Sequence, residues 1–140
     1  MLSFGIEATA QQGANMRIAA MIIIAGVALL HGYIAWFEIF AWETRGPNVF
    51  TTMDPEIFPQ TVNMAANQGL YNAFLAAGLL WSLTIRDPRW HRDVAACFLI
   101  FVAVAGLFGA MTISPRIMMF QTLPAAIGLI LLYLSRPKSA

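Results

Sequence analysis

Charge is scarce in this chain. Asp, Glu, Lys and Arg together make up 11% of its 140 residues, less than half of the roughly 25% usual in soluble domains. That leaves too few ionised side chains to cover a globular surface, so lipid is the expected solvent. The net charge is only +1, and no basic cluster with interleaved aromatics is present, which excludes a nucleic-acid partner on electrostatic grounds. A single cysteine, Cys97, lies in an apolar run. It rules out an intramolecular disulfide and a thiolate cluster. No P-loop, dinucleotide fingerprint or Ser-His-Asp arrangement is found, so no cofactor is expected. Zinc needs three or four ligands, and no such set is gathered here, so no metal is expected either. A short signal-peptide core is also missing, because the first apolar stretch is far longer than 7–15 residues; that stretch is expected to be retained.

What the chain has in quantity is apolar surface: 59% of its residues are hydrophobic and its mean hydropathy is +0.69. Four apolar stretches, about 16–42, 62–85, 94–113 and 117–134, each approach the ~20 residues needed to cross a bilayer. Four spans cannot close a membrane barrel, so helices are required. The expected fold is an all-α membrane protein, an antiparallel four-helix transmembrane bundle forming one domain over residues 1–140. The connections support antiparallel neighbours, since 86–93 and 114–116 are short. The longer connection, 43–60, carries Pro47, Pro55 and Pro59 and the run Gly46-Pro47-Asn48, which is turn chemistry. Asp54 is placed to cap a short helical turn that begins at Pro55.

Basic residues set the orientation. Both termini and the second connection share one side, which holds Arg17, Arg86, Arg89, Arg92, Arg136 and Lys138; the other side holds Arg45 and Arg116. This predicts a multi-pass protein of the bacterial inner membrane with cytoplasmic N- and C-termini. Trp42, Trp90 and Tyr133 suit the interfacial belt. His91, in the charged connection, is expected to be a solvated surface residue.

His31 and Glu38 lie inside the first span, seven residues apart, and so project from nearly one face of a helix. An ionisable group at that depth is costly and is read first as a functional site. Counted from the span ends, Glu38, Asn67, Gln68, Thr112 and Gln121 fall in one layer below the outer interface, with His31 and Asn72 deeper. The expected site is a polar pocket open to the outer side, lined by His31, Glu38, Asn67, Gln68, Tyr71, Asn72, Thr112 and Gln121. The plainer alternative is interhelical hydrogen bonding, worth about 0.6 kcal/mol per contact in membranes. For the amides and Thr112 taken singly this alternative is favoured; for Glu38 function is slightly ahead; for His31 the two are even. Gly106 and Ala110, with Gly109 between, form a small-residue surface that implies a tight helix contact, within the chain or between copies.

The stretch His31-Gly32-Tyr33-Ile34 through Glu38, Phe40 and Trp42 resembles a bacterial family of small four-span membrane proteins, domain of unknown function 1304. The run from Ala65-Ala66-Asn67-Gln68-Gly69-Leu70-Tyr71-Asn72 to Gly78-Leu79 looks like its most specific signature. Ala105-Gly106-Leu107-Phe108-Gly109-Ala110 with Thr112, then Gln121 and Pro124-Ala125, is similar to its C-terminal pattern. The resemblance implies the four-helix membrane architecture and carries no activity with it. The leading functional expectation is therefore built from the residues: binding of a small polar solute or lipid headgroup, with the bilayer as the main partner, and proton-coupled transport as an extension. The alternatives are a membrane-embedded acid–base isomerase or epimerase acting on a lipid or isoprenoid, and an accessory subunit that self-associates or packs into a larger membrane complex.

Overall fold

The computed structural model describes residues 2–135. Every element among them is helical, with no strand. Helix α1 covers Leu2–Trp36 and passes into a π-helical turn, Phe37–Ala41, then into α2, Trp42–Val49. A short α3, Ile57–Gln60, precedes α4, Val62–Thr84. Helix α5 covers Pro88–Thr112, and a second π-helical turn, Met118–Thr122, leads into α6, Leu123–Leu134. Two stretches are long and apolar enough to cross a membrane, Gln11–Val49 and Pro88–Thr112, and Met118–Leu134 is a shorter apolar helix. Large apolar side chains stand on the outside of the described residues, among them Leu29, Phe40, Met64, Phe108 and Met111. Such surface is tolerated where lipid or a partner covers it.

The helices begin and end where local chemistry directs. Asp87 is extended and its carboxylate accepts from Trp90 N at 2.7 Å, with Pro88 at the first helical position of α5. Cap and proline together start the helix six residues before the apolar run that begins at Val94. The charged connection 86–93, expected as a loop, is thus largely the first turns of α5. Asp87→Ala should cost about 1 kcal/mol of stability, the usual value of an N-cap, read as a lowered thermal midpoint of the detergent-solubilised protein. The 43–60 connection differs too: Gly46, Pro47 and Asn48 lie within α2 rather than in a turn. Asp54 Oδ1 accepts from Glu56 N at 3.0 Å, closing the turn at Pro55.

The chain divides into two compact units, Ala28–Ala77 and Met1–Val27 with Gly78–Ala140. The first is held by an aromatic cluster. The Trp42 ring lies 5.1 Å from Phe58, 5.7 Å from Phe50 and 5.9 Å from Phe37, centroid to centroid. Phe58 is fully buried and lies where a Cβ on Gly46 would stand. Trp42 Nε1 donates to Thr61 Oγ1 at 2.9 Å, and that hydroxyl donates to Ile57 O at 2.7 Å. Trp42, expected in the interfacial belt, is the centre of this cluster.

In the second unit, α5 buries the stripe His91, Ala95, Leu99, Val102 and Gly106, which repeats at helical spacing. The Met118–Thr122 turn packs against Gly106, whose notional Cβ would stand 2.7 Å from Gln121 Cβ and 2.8 Å from Thr122 N. Only a hydrogen on that Cα lets the backbones come so close. Thr122 Oγ1 donates to Ala103 O at 3.2 Å across the same contact. The small-residue surface read from the sequence is therefore used within the chain.

Candidate functional site

Glu38 sits in the π-helical turn Phe37–Ala41. A π turn carries one residue more than an α turn, and such bulges occur often at functional positions. Opposite it, α4 presents Gly69, buried among Ala35, Glu38 and Ile39: a Cβ there would stand 2.6 Å from Ile39 Cγ1, 3.0 Å from Ala35 O and 3.1 Å from Glu38 Cβ. This close approach brings Asn72, one turn further along α4, to the acid. Asn72 Nδ2 donates to Glu38 Oε2 at 2.8 Å and to Gln68 O at 3.3 Å. Both side chains are half-buried. A carboxylate accepts at two oxygens, and among the described residues Asn72 is the only side chain bonded to it. One oxygen of Glu38 is therefore held, and the other remains able to accept from a ligand.

The remaining residues predicted from sequence are distributed as follows. His31 is fully buried, two turns before Glu38 on the same chain segment. Asn67, Gln68 and Tyr71 are exposed on α4, and the Tyr71 ring meets Phe74 edge-on at 6.4 Å. Thr112 and Gln121 belong to the other compact unit. Thr112 Oγ1 donates to Phe108 O at 2.8 Å, one turn back in its own helix, and Gln121 is half-buried against Gly106. The direct pairing is thus Glu38 with Asn72, whereas depth counting put Glu38 level with Asn67 and Gln68. The reason is that the first helical stretch runs on to Val49 instead of ending at Trp42. Seven more residues set Glu38 about 10 Å further from the helix end.

Sequence reasoning missed two polar groups. Thr122 makes the cross-helix bond described above; the signal was its place two residues before Pro124, opposite Gly106. His91, expected in solvent, is 4% exposed. It lies four residues before Ala95 on the buried stripe of α5, a periodicity visible once the helix is started at Asp87-Pro88. Among the described residues no group of three metal-ligating side chains is gathered.

Comparison with known proteins agrees with the sequence resemblance. The chain is 27% identical over 117 residues to the uncharacterised protein YpaA of Lactococcus lactis subsp. lactis, strain IL1403, covering 82% of this chain and 97% of that protein. No solved structure matches it. The family model described as protein of unknown function (DUF1304) matches residues 25–133, which include the Glu38 turn, the Gly69–Asn72 face and the Gly106 contact; the chain belongs to that family.

Proposed function

We propose that the chain is a four-span integral protein of the bacterial inner membrane, with cytoplasmic termini, that binds a small polar solute or lipid headgroup at Glu38 and Asn72. Two of the four spans are the long apolar stretches Gln11–Val49 and Pro88–Thr112. Helix α4 has 23 residues, about 34 Å of helix. That is enough for a bilayer core of about 30 Å. Its hydropathy is lowered by Asn63, Asn67, Gln68 and Asn72. Met118–Leu134 supplies the fourth. Orientation rests on Arg17, Arg86, Arg89, Arg92, Arg136 and Lys138 on one side against Arg45 and Arg116 on the other; Arg136 and Lys138 lie outside the described residues.

The observation that carries the binding reading is the 2.8 Å bond from Asn72 to one oxygen of a half-buried Glu38. A carboxylate withdrawn from water requires partners. The carboxamide fixes its rotamer and satisfies one oxygen, which leaves an oriented acceptor for a hydroxyl, amine or amide proton. Glu38→Gln retains the shape, and its carbonyl oxygen can still accept from Asn72. The protein should stay folded while retention of a co-purifying small molecule falls about tenfold or more, the usual size of a lost hydrogen bond to a charged group. Native mass spectrometry of gently extracted wild-type and variant protein reads this directly. A bound mass that survives the substitution unchanged, or none in the wild type, ends the proposal.

A further inference from the structure

We propose a second site, for a phosphoryl oxyanion, in the cavity lined by Arg17, Pro88, His91, Arg92, Leu132 and Ser135. The cavity holds about 170 Å³, room for a phosphate group with its ester oxygens. All six residues belong to the unit Met1–Val27 with Gly78–Ala140, so the site is distinct from Glu38 and Asn72.

Its most telling member is His91. The side chain is 4% exposed, and its Nδ1 lies 2.7 Å from Ser82 O. A carbonyl can only accept, so Nδ1 carries a proton and donates to it. That bond caps the end of α4, where the last carbonyls have no helical partner, and it accounts for half of the ring. Nε2 is also buried, yet it has no hydrogen-bond partner. An unmet polar atom in the interior costs free energy that a cap does not return. A bound group explains it in either protonation state: protonated Nε2 donates to a phosphoryl oxygen, and bare Nε2 accepts from a hydroxyl on the same ligand.

The rest of the lining selects for an anion. Arg17 and Arg92 bring guanidinium forks that match phosphate oxygens. Among the described residues no carboxylate forms an ion pair with either. Pro88, His91 and Arg92 belong to the first turns of the 25-residue α5, the positive end of its dipole. The Asp87 carboxylate is occupied at Trp90 N, and the Ser135 hydroxyl donates to Leu132 O. The groups left to meet the ligand are therefore the two arginines and His91. The same chemistry fits the headgroup of an anionic phospholipid or a free phosphate.

The test uses the full-length protein, delipidated in mild detergent. It is titrated separately with inorganic phosphate, followed by calorimetry, and with phosphatidylglycerol and phosphatidylcholine, counted as adducts by native mass spectrometry. The wild type should bind phosphatidylglycerol in preference to phosphatidylcholine if the source is lipid, or bind inorganic phosphate if the source is soluble; either supports the site. Arg92→Gln should weaken that binding about tenfold, and Arg17→Gln with Arg92→Gln further. Arg89→Gln removes an equal charge from the same turn but does not line the cavity, so it should leave binding unchanged. Equal losses from Arg89→Gln and Arg92→Gln would reveal a diffuse basic surface and overturn the proposal. So would binding of neither probe, or equal binding of the two lipids with no binding of inorganic phosphate.

Discussion

Phe58→Ala should be the most destabilising truncation within residues 28–77. The ring is fully buried and meets Trp42 in a tilted pair at 5.1 Å, and Gly46 has no side chain to fill the space it would vacate. Emptying a buried phenylalanine site costs about 3–5 kcal/mol, the larger values where the surroundings cannot collapse. Collapse is hindered here because Trp42 is tethered by its Nε1 bond to Thr61, and that hydroxyl is fixed in turn on Ile57 O. Thermal unfolding of the detergent-solubilised protein should show the shift. Phe40→Ala provides the contrast, since Phe40 is 75% exposed and its loss should leave the midpoint nearly unchanged. If the two substitutions shift the midpoint equally, the aromatic cluster is not what holds this unit together.

Gly69→Leu should separate Asn72 from Glu38. The first atom of the new side chain would stand 2.6 Å from Ile39 Cγ1 and 3.0 Å from the carbonyl oxygen of Ala35. A side-chain carbon can rotate away, but a helix carbonyl cannot, so α4 must move as a body. Overpacking of this kind costs about 1–3 kcal/mol. Because the 2.8 Å bond tolerates little displacement, ligand retention should fall as far as in Glu38→Gln. Gly32→Ala tests the geometry: nothing lies within 4 Å of that position, and alanine favours the helix by about 1 kcal/mol. A Gly69→Leu protein that keeps both its midpoint and its bound mass would show that the helices do not depend on close approach there.

The residues that stated their own structure in the sequence are the ones governed by local rules. The stretch 62–85 is α4, Val62–Thr84, and 117–134 contains α6, Leu123–Leu134, because mostly apolar runs of this length permit little but helix. Gly106 could be read as a close contact from its small neighbours. What could not be read were features set by competition between signals. Pro47 looks like a breaker, yet the helix continues past it to Val49, and that continuation moved Glu38 into register with Asn72. Arg89, Arg92 and Asp93 look like a loop by charge, while Asp87-Pro88 looks like a helix start; the cap won, and His91 went inward with it. The pairing of Glu38 with Asn72 joins residues 34 positions apart, and no single-sequence pattern specifies which amide of α4 an acid at the end of the first apolar stretch will meet. The π turns are equally silent, since no residue type in Phe37–Ala41 or Met118–Thr122 signals an extra residue in the helical turn.

The wide turn at Phe37–Ala41 behaves as an insertion of one residue into an otherwise continuous rod. Beyond it, every side chain is rotated by about 100° relative to an unbroken α-helix. Residues before and after it therefore cannot be drawn on one helical wheel. A relative with one residue fewer between Ala35 and Trp42 would carry a straight rod, and its acid would aim at a different neighbour. Deletions in this short window are thus a more direct guide to whether a relative shares this site than identity at Glu38 itself.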